Sequence, residues 1–319
     1  MKKYRIRKLT PRECGRLMDV EDPDIDKMLS CGLSDNALYK MYGNSIVVAC
    51  MYNIFDKLYI HRPEDKTIRL WGEKKNNMVK KYTKENPLRV FTAFSGYDSQ
   101  CLALNRLGID YDLVGWSEID KAAIIAHNAL FPEYKDRNYG DISKIDWSEV
   151  PDFDLFTYSS PCTDFSNAGQ QAGGEEGSGT RSSLLWECRK TILAKKPKYL
   201  LFENVKALVT EKFIYLFEKW CKELESYGYV NYYKVLNSKD FGVPQSRERI
   251  FMVSILRTDD EPEPYYEFPR GTTLTKTVED VLEDNVPEKY YMAEEVTEKY
   301  MNIMDVEEPD DFALDDGLW

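Results

Sequence analysis

The sequence predicts an α/β fold built on an open, doubly wound, mostly parallel sheet, and three observations carry that expectation. From Leu88 onward short apolar runs alternate with longer amphipathic stretches, the pattern of repeated βαβ units. Six of the runs have the length of strands. Two of the helical stretches close on a glycine, the residue that ends a helix in the left-handed region without steric cost.

Taken in order, the strands are expected at 89–94 (RVFTAF), 112–117 (DLVGWS), 153–159 (FDLFTYS), 198–204 (KYLLFEN), 230–236 (VNYYKVL) and 249–256 (RIFMVSIL). The segments QCLALNRLG, KAAIIAHNALF, LLWECRKTILAKK and FIYLFEKWCKELESYG between them have helical spacing. Upstream, residues 1–55 hold the helical candidate PRECGRLMDV, opening after Thr10 with proline at its first position. Residues 56–88 read as a connector. Its lysine pairs at 74–75 and 80–81, with Trp71, form a basic strip compatible with nucleic-acid contact, although a solvated linker is the simpler reading.

Composition excludes several classes. A chain of 319 residues with 43% apolar and 31% charged residues can bury a large core, which argues against wholesale disorder. No apolar run approaches the roughly 18 residues that span a bilayer, and the first residues lack the apolar core of a signal peptide, so a cytoplasmic protein without membrane contact is expected. The seven cysteines are scattered without CxxC spacing, which argues against a disulfide framework or a zinc site, and no metal is expected. The net charge of −12 is local: residues 257–319 carry 20 acidic and 5 basic side chains, leaving the rest of the chain at +3. The body of the protein can therefore meet phosphates, whereas the tail is a poor surface for them.

Four constellations carry chemistry. The first is FSGYDS, Phe94 to Ser99, at a strand-to-helix turn, where Gly96 lets the backbone approach a ligand closely. Glu118 ends the next strand 22 residues later, near the spacing at which an acid binds a ribose diol, so the pair suggests an adenosine-containing ligand. Asp141, after Gly140, either meets an adenine or caps the short turn ISKID. The second is SSPCTDFSNAGQQ, which puts Cys162 at the carboxyl end of a central strand. Cytosine C5 is too poor a nucleophile to take a methyl group unaided; a thiolate adding at C6 makes it an enamine, although a lone cysteine is more often structural. Third is ENV, Glu203 to Val205, whose acid could share a proton with cytosine N3 or cap a helix. Fourth is QSRERIF, where Arg247 and Arg249 alternate toward one face, suited to an anionic group or to surface ion pairing.

In combination and order, FSGYD, Glu118, Asp141, PCTDFS, ENV and QSRER closely resemble the motifs of the cytosine-C5 DNA methyltransferases, and LNSKDFGVPQSRERIFMV is similar to that family throughout. The resemblance implies the Rossmann-like fold of S-adenosylmethionine-dependent methyltransferases, with a small remnant second region. It implies a DNA (cytosine-5-)-methyltransferase that attacks a flipped cytosine with Cys162 and releases S-adenosylhomocysteine. On the same resemblance Glu203, Arg247 and Arg249 join Cys162 in catalysis, with Glu203 and Arg247 steadying the base. Cofactor contacts fall to Phe94, Ser95, Gly96, Glu118, Ile119, Asp141, Ile142, Pro161, Asn44 and Ser45, and substrate or loop contacts to Ser166, Arg181, Asn204 and Gln245. Five glycines between 169 and 179 suit a loop that closes over flipped DNA.

Two residues depart from the family pattern: Asp98 stands where the cofactor turn usually has glycine, and Thr163 where glutamine is common. Order departs further. RKLTPRECGRL (7–17) and YGNSIVV (42–48) resemble the family's closing motifs yet come first, so the chain reads as circularly permuted. The connector, extended to roughly 100 Å at about 3.3 Å per residue, easily allows these pieces to rejoin the rest. The implied organisation is a permuted segment at 1–55, a connector at 56–88, a catalytic domain at 89–256 and an acidic remnant at 257–319 that leads toward a target recognition region. Double-stranded DNA is the expected partner, and base reading is expected to be truncated, minimal or supplied by a separate specificity polypeptide. The resemblance points to a prokaryotic or phage-type enzyme of the kind found in restriction-modification. Rival readings are a cofactor-binding subunit or inactive homologue, and an RNA cytosine methyltransferase.

Overall fold

In the computed structural model, residues 5–61, 82–161 and 181–304 are described, excepting the side chains at 181–183, 298 and 301–304. Six strands make one sheet: β1 (Leu88–Ala93), β2 (Tyr111–Ser117), β3 (Leu155–Tyr158), β4 (Tyr199–Val205), β5 (Tyr229–Asn237) and β6 (Glu248–Leu256). Their spatial order is β2-β1-β3-β4-β6-β5. β1 pairs in parallel with β2 and β3, and β3 with β4, because helical crossovers return the chain to the same edge each time. The crossovers carry α5 (Ser99–Leu107), α6 (Lys121–Leu130) and α7 (Cys188–Lys195).

The expected six strands are all present, but the sheet is mixed. Only residues 238–247 join β5 to β6, too short for a crossover, so β6 runs antiparallel to β5 and also to β4 beside it. This reversal matters for the site. The beginning of β6 lies at the edge where β1, β3 and β4 end, bringing QSRER next to ENV.

Both faces of the central strands are covered, and β3 is buried throughout. On one face, α8 (Ile214–Ser226) turns Leu216, Phe217, Trp220, Cys221 and Leu224 inward at helical spacing against Tyr158, Phe202 and Met252. On the other, the N-terminal segment packs against α5 and the sheet. That segment holds more helix than its one legible candidate: α1 (Pro11–Leu17), α2 (Asp22–Ser30), α3 (Asp35–Asn44) and α4 (Val48–Phe55), followed by a π-helical turn, Asp56–Ile60, where a connector is expected. In α4, Val48, Met51, Ile54 and Phe55 join Cys101, Leu104, Leu113 and Trp116 in one core.

Thr10 and Glu13 form a capping box at α1, each satisfying a backbone amide that the first helical turn leaves unpaired. Glu13 is fully buried and also receives the Arg7 fork at 2.7 Å and 2.7 Å and the Glu283 amide at 2.8 Å. The acidic segment thus folds back on the first helix. A short antiparallel bridge completes the contact, from Met292 N to Ile6 O and from Lys8 N to Tyr290 O, both 2.9 Å. No helix among the described residues is long and apolar enough to cross a membrane.

Candidate active site at the carboxyl edge of the sheet

β1 ends at Ala93 and the chain turns sharply, with Phe94, Gly96 and Asp98 all at positive φ before α5 begins. A Cβ built on Gly96 would meet nothing within 4 Å among the described residues, which leaves room there for a ligand. The next strand brings Glu118 onto this turn, as the spacing predicts: Gly96 N donates to Glu118 Oε2 at 2.9 Å. Glu118 Oε1 accepts from the amides of Ile119 and Asp120 at 2.7 Å and 2.8 Å. A carboxylate has about four lone-pair sites, so Glu118 is fixed in place yet retains capacity for a hydroxyl donor. Beside it, Ile119 is 69% exposed, an apolar face of the kind a flat heterocycle covers. Ser95, buried under the turn, holds it to β2 through its amide and the carbonyl of Ser117 at 3.3 Å.

Asn138 stands out here only once the chain is folded. Its Oδ1 accepts from the Glu118 and Gly140 amides at 3.2 Å and 2.9 Å, and its Nδ2 donates to Glu118 O at 3.1 Å. Ser117 Oγ donates to Gly140 O at 2.6 Å. Asn138 is thus the brace that sets Glu118 against the 138–141 turn; an Asn two residues before a Gly is the turn signal that could have marked it. Asp141 makes the capping contacts that its local sequence suggests. Its Oδ1 caps the Ile142–Lys144 turn, accepting from Ser143 N at 3.1 Å and Ser143 Oγ at 2.8 Å, which holds its carboxyl below the usual carboxylate range. Ile142 is buried, in the same core cluster as Phe91 and Trp147.

Farther along the edge, Asn204 Nδ2 donates to Ser160 O at 3.1 Å, anchoring the exit of β3 just before Pro161. Cys162 and Ser166 lie outside the described residues; Arg181 opens the turn Arg181–Glu187. Glu203 sits opposite Phe251 in the β4–β6 ladder, so Arg249, two residues before Phe251, is its diagonal neighbour on the same face. Arg249 Nε lies 3.4 Å from Glu203 Oε1. Burial pushes the Glu203 carboxyl up, and the opposing pull of Arg249 and Arg247 does not cancel it.

The two arginines make different contacts. Arg247 donates through Nη2 to Gly43 O at 2.8 Å and to Ser45 O at 2.7 Å, so it clamps the end of α3, and it is Arg249 that contacts Glu203. The clamp brings Asn44 and Ser45 to the edge, next to the buried Tyr97 of the cofactor turn, which packs edge-on against Tyr42 at 5.9 Å. Gln245 is held through its backbone, its carbonyl accepting from Ser238 Oγ at 2.6 Å. Among the described residues no cluster of His, Cys, Asp and Glu could hold a metal.

A βα turn with an acid facing it from the next strand, on a six-stranded mixed sheet, is an α/β arrangement that the fold of S-adenosylmethionine-dependent methyltransferases shares with other nucleotide-binding proteins. The model of the C-5 cytosine-specific DNA methylases matches residues 1–59 and 88–313, and the chain belongs to that family. Among its relatives, the Type II methyltransferase M2.ScrFI of Lactococcus lactis subsp. cremoris is 41% identical, over 64% of this chain and 70% of that protein. The Orphan methyltransferase M.Rho11sI of Bacillus phage rho11s is 36% identical, over 72% of this chain and 50% of its own. This chain thus spans half the length of that phage relative. The fold is shared with the crystal structure of the S. pombe Dnmt2 methyltransferase, which is 22% identical over 67% of this chain and 66% of that one, with a TM-score of 0.50.

Proposed function

We propose that the chain methylates C5 of a cytosine flipped out of double-stranded DNA, with Cys162 as nucleophile. The observation that carries the proposal is the meeting at one sheet edge of two parts: the Gly96–Glu118 cradle and the buried Glu203–Arg249 pair. They flank the exit of β3, and Cys162 is the residue after Pro161. Glu203, kept protonated toward higher pH by its burial, donates to N3 of the base and makes C6 electrophilic. Arg249 holds the carboxyl group in place. The Cys162 thiolate adds to C6, and the electrons move onto C5 as an enamine. When bound, S-adenosylmethionine supplies the electrophilic methyl group that C5 accepts, leaving S-adenosylhomocysteine. Removal of the C5 proton then expels the thiolate.

Glu118 would hold the ribose of that cofactor, Ile119 and Asp141 its adenine, and Phe94, Ser95, Asn44 and Ser45 its remaining length. The open Gly96 turn and the three-amide grip on Glu118 fit such a ligand. Five of the other six cysteines are poor rivals for the nucleophile: burial pushes the thiols of Cys14, Cys50 and Cys221 up to about 12, and those of Cys101 and Cys188 well up. In this reading Ser166, Arg181 and Gln245 face the DNA.

The order of motifs, with 7–17 and 42–48 ahead of the cofactor turn, makes the chain a circular permutation. Residues 1–55 then close the catalytic unit at 89–256 from the cofactor side, which agrees with the Arg247 clamp on Gly43 and Ser45. Residues 257–319, with their 20 acidic side chains, repel phosphates, which leaves base reading to a truncated or minimal region or to a separate specificity polypeptide. The test is methyl incorporation into mixed-sequence DNA by purified wild type and Cys162→Ala, each with and without candidate partners. Transfer is expected only with Cys162 present, while calorimetry shows cofactor binding in both proteins. Turnover by the alanine variant would remove Cys162 from the mechanism.

A further inference from the structure

The turn that cradles the cofactor carries an acid in place of the usual glycine, and that acid is entirely buried. Asp98 has φ +66, a conformation that glycine adopts freely and that Asp and Asn tolerate, so what the substitution adds is a carboxyl group to bury. Its Oδ2 accepts from Thr92 Oγ1 at 2.8 Å and lies 3.4 Å from Nε2 of His127. Its Oδ1 has no hydrogen-bond partner among the described residues. His127 is fully buried too and stacks on Trp116, ring centroids 3.7 Å apart. Asp98 also heads α5, whose amino-terminal dipole favours a negative charge. The titratable neighbours Cys101 and Tyr111 are both pushed up by burial and carry no charge at neutral pH.

Position gives this charge a use. The turn above Asp98 meets Glu118 at one side, through Gly96, and packs at the other through Tyr97 on Tyr42, close to Ser45. If Glu118 marks the ribose and Ser45 the methionine end, Asp98 lies beneath the stretch between them, where the donor carries its sulfonium. Donor and product differ there by one unit charge: S-adenosylmethionine is cationic at sulfur, and S-adenosylhomocysteine is a neutral thioether.

We infer that Asp98 is a specificity-determining residue that biases the site toward the charged donor over the spent product, limiting product inhibition; the inference rests on the cofactor reading above. A unit charge acting on the donor's sulfonium through the interior, at an effective dielectric of about 20, gives a bias on the order of tenfold. Asp98→Asn and Asp98→Gly test it, since both residues accept positive φ and should fold. Calorimetric Kd values for donor and product are measured with all three proteins. The ratio of product Kd to donor Kd is expected to fall about tenfold in both variants. An unchanged ratio, including equal weakening of both ligands, would reduce Asp98 to a packing residue and overturn the inference alone. Failure of the wild type to bind either ligand would overturn the cofactor reading and this inference with it.

Discussion

Glu203 is a buried carboxyl group that should couple stability to pH. Its proton affinity is raised mainly by burial, with Arg249 and Arg247 opposing. A carboxyl group whose folded pKa lies above its unfolded value contributes stability that is fully present below the unfolded pKa. That contribution is lost as pH rises through the folded pKa. Glutamine at this position carries no such titration. Glu203→Gln should therefore match wild type near pH 4 and gain stability relative to it toward pH 8, as thermal melts across that range would show. In methyl transfer the same variant should lose about 10²-fold or more, the scale of a positioned general acid. A variant destabilised equally at both pH values would mean the carboxyl group serves packing alone.

At the scale of elements, β2 is closely packed at Gly115. Gly115 faces Phe91 of β1 and Tyr139 of the turn that Asn138 braces; a Cβ there would come within 2.6 Å of the Tyr139 ring and 2.7 Å of the Phe91 ring. The β1–β2 register also shifts between Val90 and Phe91, opposite this point. Gly115→Ala should thus force a rearrangement costing about 1–3 kcal/mol, read as a lower denaturant midpoint. Because Asn138 ties the displaced turn to Glu118, cofactor affinity should fall as well. Loss of stability with unchanged affinity would uncouple the brace from the cradle.

Across the whole molecule, the N-terminal segment is built into the core rather than appended to it. α4 shares one apolar cluster with α5 and β2, Arg106 pairs with Asp19, and Arg247 grips the carbonyls of Gly43 and Ser45. Its association with the rest should therefore survive a cut in the chain. A protease site engineered between residues 62 and 81 and then cleaved is expected to leave two fragments that co-elute on gel filtration and retain cofactor binding. Separation of the fragments without denaturant would show that covalent connection, not packing, holds the cradle closed.

Periodicity in the sequence determined the six strands, the helices that follow them and the pairing of Gly96 with Glu118, because each depends on local pattern or on one fixed spacing. Motif order determined the family. Three helices of the N-terminal segment were not legible: α2 and α3 are short and bury only Ile25 and Met28, and Leu38, Met41 and Tyr42, too few positions to fix a period, while α4 is apolar along most of its length. Tertiary structure alone decided that β6 runs antiparallel, and with it which arginine reaches Glu203. It also decided that Asp141 caps its own turn, that Asn138 braces the cradle, and that Asp98 and His127 meet in the interior. These contacts join residues by strand direction and packing depth, quantities that a spacing along the chain does not contain.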